Sequence, residues 1–394
     1  MSLHKTVINS RPIPRLPVFG WETFIGSRRA SIPCVLDAPN LTFTTSGRAS
    51  IFQAFKLLHI GKGDSVLIPT YHCPTMVAPV VALEADPIFC PIDATGRIDV
   101  DALSQLARPK TRAIVAPHYF GLPQPMADLR SWCDVTGVAL VEDCAHSLFG
   151  IAGERNVGRW GDLAIASLTK FLPLPEGGCL IHNRAQPKFA ALHGHSLANQ
   201  VKTASNMIEE GARHTALPGL NTILNKLYGA KRALKSHPSR ASESQTTLDE
   251  LPADFPNHTI DYRLADTQLA RACQWLVKYA AFERIVTNRR RNYIRLAETL
   301  SGSQAFHPIQ PQLPDDCAPY VFPLWVKHPD PAYQQLRARG IPLSRWDYLW
   351  PNTPTLPGDN GIEWSHHVLQ IACHQDLRED ELDRIVTALR ELCT

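Results

Sequence analysis

Between Ser65 and Leu180, short apolar runs alternate with helix-like segments of roughly ten to fifteen residues, and this alternation constrains the fold most. SVLI at 65–68, ADPIFC, TRAIVAP, VALV at 138–141 and LAIASL at 163–168 are bounded by Pro, Gly or polar residues and read as buried strands. VDALSQLARPKT and MADLRSWCDVTG read as helices between them. Strands joined through helices predict an α/β fold, a mostly parallel central sheet with right-handed crossovers and helices on its faces. Just upstream, TTSGRASIFQAFKLLHIGKGD supplies a Gly turn, an amphipathic helix with Ile51, Phe52, Phe55 and Leu58, and a Gly-x-Gly stop.

Two of these runs end in chemistry. Val138–Val141 gives way to Glu142, Asp143 and His146, and Leu163–Leu168 gives way to Lys170. In open α/β sheets, ligands sit beyond the carboxyl ends of the strands, so an acid and a lysine at two such ends can face one ligand. A lysine within reach of a carbonyl compound is a candidate Schiff-base former, and an acid nearby suits a pyridinium nitrogen. Pyridoxal phosphate (PLP) is therefore the first cofactor to consider. Each residue also has a plainer reading: Asp143 as a helix cap, Lys170 as a surface lysine, His146 as a satisfied interior histidine. SGRAS at 46–50 places a Gly turn before a helix, whose free N–H groups suit a phosphate. His72 and Tyr71, just past the Ser65–Ile68 run, offer rings to a flat cofactor.

The remaining features exclude more than they assign. The formal net charge of +3 is too small to argue for nucleic acid. No run approaches the ~18–20 apolar residues of a membrane span. The N-terminal segment lacks an apolar core followed by a cleavage site, so no secretory signal is expected. Ten cysteines without a C-x-x-C pair favour reduced core residues, and a cytoplasmic protein is the expectation. Sixteen histidines show no metal-ligand spacing, so no metal site is expected. GHSLA at 194–198 lacks the last glycine and the preceding strand of a serine-hydrolase elbow. The EGG at 176–178 reads as a turn between strands. The cluster Lys226, Lys231, Arg232 and Lys235 reads as a solvated helix face, and a single long helix, charged on one side at Arg289, Arg290 and Arg291, is expected from Leu264 to about Leu300. By these signals, 1–40 is an N-terminal arm, and 41–260 a large cofactor-binding domain with a helical insertion at about 190–250. Residues 261–394 then form the linking helix and a smaller C-terminal α+β lobe.

SGRASIFQAFKLLHIGKGDSVLIPTYHCP, HYFGLPQPM, VEDCAH, SLTKFLPLPEGG, DYRLADTQLA and VLQIACHQDL together carry a resemblance. In this order they resemble the DegT/DnrJ/EryC1/StrS family, PLP-dependent enzymes of fold type I that are mostly sugar aminotransferases. The resemblance implies that Lys170 forms the internal aldimine and Asp143 pairs with the pyridinium nitrogen. It places His146 near the cofactor's phenolic oxygen, Ser167 at the phosphate and Gly47-Arg48 at the start of the phosphate-binding helix. Asp261-Tyr262-Arg263 matches a segment that reaches into the site of a second subunit, which implies a homodimer with Arg263 near the partner's cofactor. Four positions depart from the family. Ser167 and Lys170 are closer than usual, and Arg48 replaces a threonine, although arginine can itself pair with phosphate. Asp261 replaces an asparagine, and Cys73 stands at the usual stacking aromatic, leaving His72 or Tyr71 for that role.

The implied activity is transfer of an amino group from an amino acid, Glu or Gln, to a nucleotide-linked keto-sugar. Basic residues such as Arg345 or the Lys226–Lys235 cluster offer themselves to its diphosphate. Sugar dehydratases of the same fold carry His in place of the lysine, so Lys170 argues against that activity. A non-sugar ketone acceptor and a non-catalytic PLP-binding homologue remain the alternatives.

Overall fold

The computed structural model describes residues 11–184, 191–234, 260–300 and 305–393. Its larger sheet is built from β1 (Leu41–Thr44), β2 (Ser65–Pro69), β3 (Asp86–Cys90), β4 (Thr111–Pro117) and β5 (Ala139–Asp143). A two-strand hairpin follows, β6 (Ile151–Ala152) and β7 (Arg155–Asn156), and then β8 (Leu163–Ser167) and β9 (Gly178–His182) complete the large sheet. The order is β1-β9-β8-β5-β4-β2-β3. Strands β3, β2, β4, β5 and β8 pair in parallel, whereas β9 runs antiparallel to β8 and β1. The mostly parallel sheet flanked by helices is thus the one the alternation predicts.

Burial on both faces explains the near-continuous apolar strands. Along β5, Leu140 enters the core cluster with Leu67 and Phe149, while Val141 enters the cluster with Ile51 and Val77 on the other face. Side chains alternate along a strand, so Glu142 and Asp143 also face opposite ways.

The second sheet comprises β10 (Phe306–Pro308), β11 (Val321–Val326), β12 (Leu343–Arg345) and β13 (Val368–Ala372), antiparallel throughout in the order β10-β11-β13-β12. Its own core joins Phe322, Leu324, Leu369 and Ile371 to Tyr293 and Leu296 and to Leu382 and Leu389. Ile13 of the N-terminal segment lies in that core as well.

The expected single helix from Leu264 to Leu300 is three: Tyr262–Ala265, Arg271–Tyr279 and Phe282–Thr299. The break at Ala280-Ala281 has a physical cause. Both residues take extended backbone, and the Ala281 N–H donates to the Thr23 carbonyl at 2.9 Å, a contact a continuous helix would forbid. The segments around 204–214 and 221–234 are helical, as Leu197–Arg213 and Asn221–Leu234, and Ser196 of GHSLA caps the first of them. The Ser-rich stretch 236–247 lies outside the described residues, as do Lys235 and the side chains of Lys231 and Arg232. Lys226 is exposed. No helix among the described residues is long and apolar enough to cross a membrane.

Candidate functional site

Asp143 ends β5, and Lys170 ends the short turn Leu168–Lys170 that follows β8, its parallel neighbour. The structure therefore brings the acid and the lysine to one end of the sheet. Asp143 is buried, and its Oδ1 accepts from the Ala145 N–H at 2.7 Å. Burial raises its carboxyl pKa above the ordinary value, opposed by that N–H, by Lys170 and by His118. Lys170 is half-buried, its ammonium 5.2 Å from the centre of the Tyr320 ring. Burial lowers its pKa, with Cys73 and Asp143 pulling the other way.

The backbone under Lys170 is held by Arg289, which is fully buried. Its guanidinium donates to the carbonyls of Lys170 at 2.7 Å, Pro319 at 2.9 Å and Tyr320 at 2.9 Å, and to Gln375 Oε1 at 2.8 Å. It also stacks over Phe171 at 4.4 Å. Among the described residues Arg289 forms no ion pair, so burial pushes its pKa down to about 10. The sequence placed it in a charged run, and only the structure shows that it ties Lys170 to the second sheet.

His146 accepts the Phe120 N–H at Nδ1, 3.2 Å away. That assigns the ring proton to Nε2, so the ring presents a donor there. Its ring lies 4.6 Å from Tyr320 and 4.9 Å from Trp346. Burial, helped by Lys170, keeps its pKa well below the ordinary value, so it is neutral at pH 7. The turn that supplies Phe120 is tight: the Phe120 carbonyl accepts from Tyr320 N at 2.7 Å. A Cβ at Gly121, whose φ is +85°, would fall 2.4 Å from Tyr320 N. Tyr320 and Trp346 were not anticipated from sequence.

The helix Gly47–Leu57 begins beside this end of the sheet. Ser46 caps it by accepting from Ala49 N at 3.1 Å, which leaves the Gly47 and Arg48 N–H groups at the open helix end. A Cβ at Gly47 would sit 3.2 Å from Ser167 Cβ, so glycine lets the helix end and Ser167 meet. Arg48 is half-buried there, its pKa lowered by burial.

Three expectations are corrected. His72 does not present its ring to the site. It is fully buried and stacks on Phe89 at 5.1 Å, with Nδ1 bonded to the Pro69 carbonyl and Nε2 accepting from Trp350 N, both at 3.0 Å. Tyr71 is likewise enclosed, between Tyr119, Trp346 and Trp364. Cys73, buried beside them, stands at the start of the helix Pro74–Ala82. Arg345 already faces two carboxylates, Asp330 and Asp347, and is not offered to a diphosphate. Arg263 is exposed at the start of its short helix. Asp261 caps that helix by accepting from the N–H groups of Arg263 and Leu264, and Tyr262 lies against Phe52. Within the chain, Asp261–Leu264 is outer surface.

The depressed pKa of His72, about 4, makes stability pH-dependent. A folded-state pKa below the unfolded value of about 6.5 gives a contribution that is complete above pH 6.5 and is lost as pH falls toward 4. The expected loss from His72 is ~3 kcal/mol over that interval. Urea titrations at pH 7 and pH 4.5 measure it, and the drop is expected to shrink in His72→Gln.

His118, Glu142 and Cys144 bring three ligand atoms within 4.8 Å of one another behind the site. The Glu142 oxygens are already taken by His118 Nε2 and by the N–H groups of Gly158, Trp160 and Gly161. This cluster is a filled hydrogen-bond node.

The fold brings a lysine and an acid to two adjacent strand ends with an open helix end beside them, an arrangement that suits an aldehyde cofactor with a ring nitrogen and a phosphate. Residues 35–230 match the DegT/DnrJ/EryC1/StrS aminotransferase family, and the chain belongs to it. It is similar to GDP-perosamine synthase of Vibrio cholerae, 29% identical over 38% of this chain and 41% of that one. It is also similar to dTDP-4-dehydro-2,3,6-trideoxy-D-glucose 4-aminotransferase of Saccharopolyspora spinosa, 26% identical over 59% of this chain and 63% of that one. The chain thus spans less than two thirds of these curated relatives. Among solved structures, Spr1654 of Streptococcus pneumoniae in its PLP form superposes with a TM-score of 0.61 at 16% identity, covering 97% of this chain and 98% of that one. Similarity at that level shows the fold.

Proposed function

We propose that this protein is a PLP-dependent aminotransferase that moves an amino group from glutamate or glutamine to a nucleotide-linked keto-sugar. The observation that carries the reading is the pairing of buried Asp143 with half-buried Lys170 at the ends of neighbouring parallel strands. The residues present fit the cofactor. Gly47, Arg48 and Ser167 offer N–H, guanidinium and hydroxyl donors to a phosphate, and the close approach of Gly47 to Ser167 forms a cradle that a Cβ would crowd. The two named relatives, both acting on nucleotide-linked sugars by their names, support the acceptor class.

When bound, the cofactor supplies an electron sink for the electrons released at the donor's Cα. The chain's residues do the rest. Lys170 is the amine that would hold the cofactor and, once released, would move a proton at the donor's Cα. Its lowered pKa keeps more of it in the neutral, nucleophilic form. Asp143 would hold a proton on the ring nitrogen. His146, with its proton on Nε2, would donate to the phenolic oxygen. Arg289 fixes the backbone from which Lys170 projects.

A homodimer with shared sites is part of the proposal. Support comes from the exposed Tyr262 and Leu264 flanking Arg263, and from the exposed Leu197, Val201, Ile223 and Leu227. A reducing, cytoplasmic setting is supported by nine buried free cysteines among the described residues.

The test is spectroscopic. Purified protein loaded with PLP is expected to show a visible band that glutamate or glutamine bleaches and a nucleotide-linked keto-sugar restores. A band that no amino acid bleaches would overturn the aminotransferase reading in favour of a non-catalytic homologue. Restoration by non-sugar ketones alone would overturn the acceptor class.

A further inference from the structure

Arg15 is a half-buried cation that makes no hydrogen bond or ion pair among the described residues. Anchors on both sides hold it in place. The preceding Pro14 carbonyl bonds to buried His374 Nε2 at 2.9 Å, and Ile13 is part of the second sheet's core. Three residues on, Val18 N donates to Asp376 Oδ2 at 3.1 Å. Between His374 and Asp376 lies Gln375, whose Nε2 donates to the Phe171 carbonyl at 2.9 Å, next to Lys170. The N-terminal segment is therefore pinned to the strip of chain that also grips the Lys170 turn. From there the Arg15 charge acts on both the Lys170 amine and the Tyr320 hydroxyl.

A half-buried guanidinium within electrostatic reach of a lysine, and without a carboxylate partner among the described residues, is electrostatically incomplete. The missing partner is an anion. Two substrates bring one: the donor through its carboxylate, the acceptor through a diphosphate. Position decides between them. The donor's α-carboxylate is one bond from Cα, the atom at which Lys170 works, whereas a nucleotide diphosphate lies several bonds from the reacting carbonyl.

We infer that Arg15, on the N-terminal segment, binds the α-carboxylate of the amino donor and sets the enzyme's demand for an amino acid over a simple amine. This rests on the aminotransferase reading above. The planar guanidinium suits a carboxylate because it can donate two parallel hydrogen bonds.

The experiment compares the holoenzyme with Arg15→Met and Arg15→Lys. Intrinsic fluorescence reports binding of two unreactive probes, glutarate for the carboxylate and UDP for the diphosphate. In Arg15→Met, glutarate is expected to bind roughly 10- to 100-fold more weakly, the loss of one charged hydrogen-bonding partner. UDP binding should stay unchanged. Arg15→Lys should recover part of the glutarate affinity, which a merely structural role would not give. In turnover, KM for glutamate should rise with kcat held, because binding to a group that does not react is lost equally from ground and transition states. Unchanged glutarate affinity, or a loss confined to UDP, overturns the assignment. Failure of the underlying reading is seen separately, as a wild-type protein without a visible cofactor band, and glutarate binding remains measurable in that case.

Discussion

Lys170→Ala is expected to lose the visible cofactor band and to lower transamination by about 10⁴-fold, the upper range for removing an acid–base group that also acts as nucleophile. The loss should be chemical rather than structural. The turn Leu168–Lys170 is held by its backbone: Leu168 N donates to Gly177 O at 3.0 Å, and the Lys170 carbonyl accepts from Arg289. The side chain itself is half-buried and leaves no hydrogen bond behind among those described. Thermal unfolding should therefore change little. Lys170→Arg should not rescue, since a guanidinium stays charged and cannot act as an amine nucleophile. Absorption spectra and single-turnover rates of the two variants check this. A Lys170→Ala protein that keeps band and turnover would refute the role given to this lysine.

The parts of the site legible in the sequence are those fixed by strand ends. Asp143 and Lys170 could be found because an apolar run that stops at a charged residue marks the rim of a parallel sheet. Gly47 and Ser46 were legible as a helix start. What escaped came from long-range packing. Arg289 sits in Arg289-Arg290-Arg291 and reads as a charged face. Yet Phe282, Ile285, Val286, Arg289, Asn292, Tyr293 and Leu296 are the helix's buried stripe, at helical spacing. That periodicity was the available signal. A buried arginine needs carbonyls from three separate segments, and no local pattern announces them. His72 failed for a related reason: its ring is captured by Trp350, remote in sequence, before it can face a ligand. The single long helix failed because Thr23, in a segment without clear periodicity, takes the Ala281 N–H.

Glu142 illustrates how neighbouring acids on one strand divide the work, and it carries the second large effect. The sequence grouped it with Asp143 and His146, but alternation sends it to the opposite face of β5. There Oε1 accepts from His118 Nε2 at 3.0 Å and Gly158 N at 2.7 Å, and Oε2 from Trp160 N at 2.8 Å and Gly161 N at 3.0 Å. These donors hold its pKa below the ordinary value although burial pushes upward. Glu142→Ala strands four buried donors at once, and a loss of about 3–5 kcal/mol in unfolding free energy is expected, the range for breaking a buried charged pair. Glu142→Gln should be nearly as damaging. Whichever way its amide turns, the NH2 group faces two donors in place of an acceptor. Gly161 leaves no room to adjust, because even a Cβ there would fall 2.2 Å from the Leu163 carbonyl. Urea denaturation of both variants at pH 7 measures the effect. A glutamine variant within about 1 kcal/mol of the wild type, the net worth of one ordinary hydrogen bond, would show that this node is not what holds the Gly158–Gly161 turn against β5.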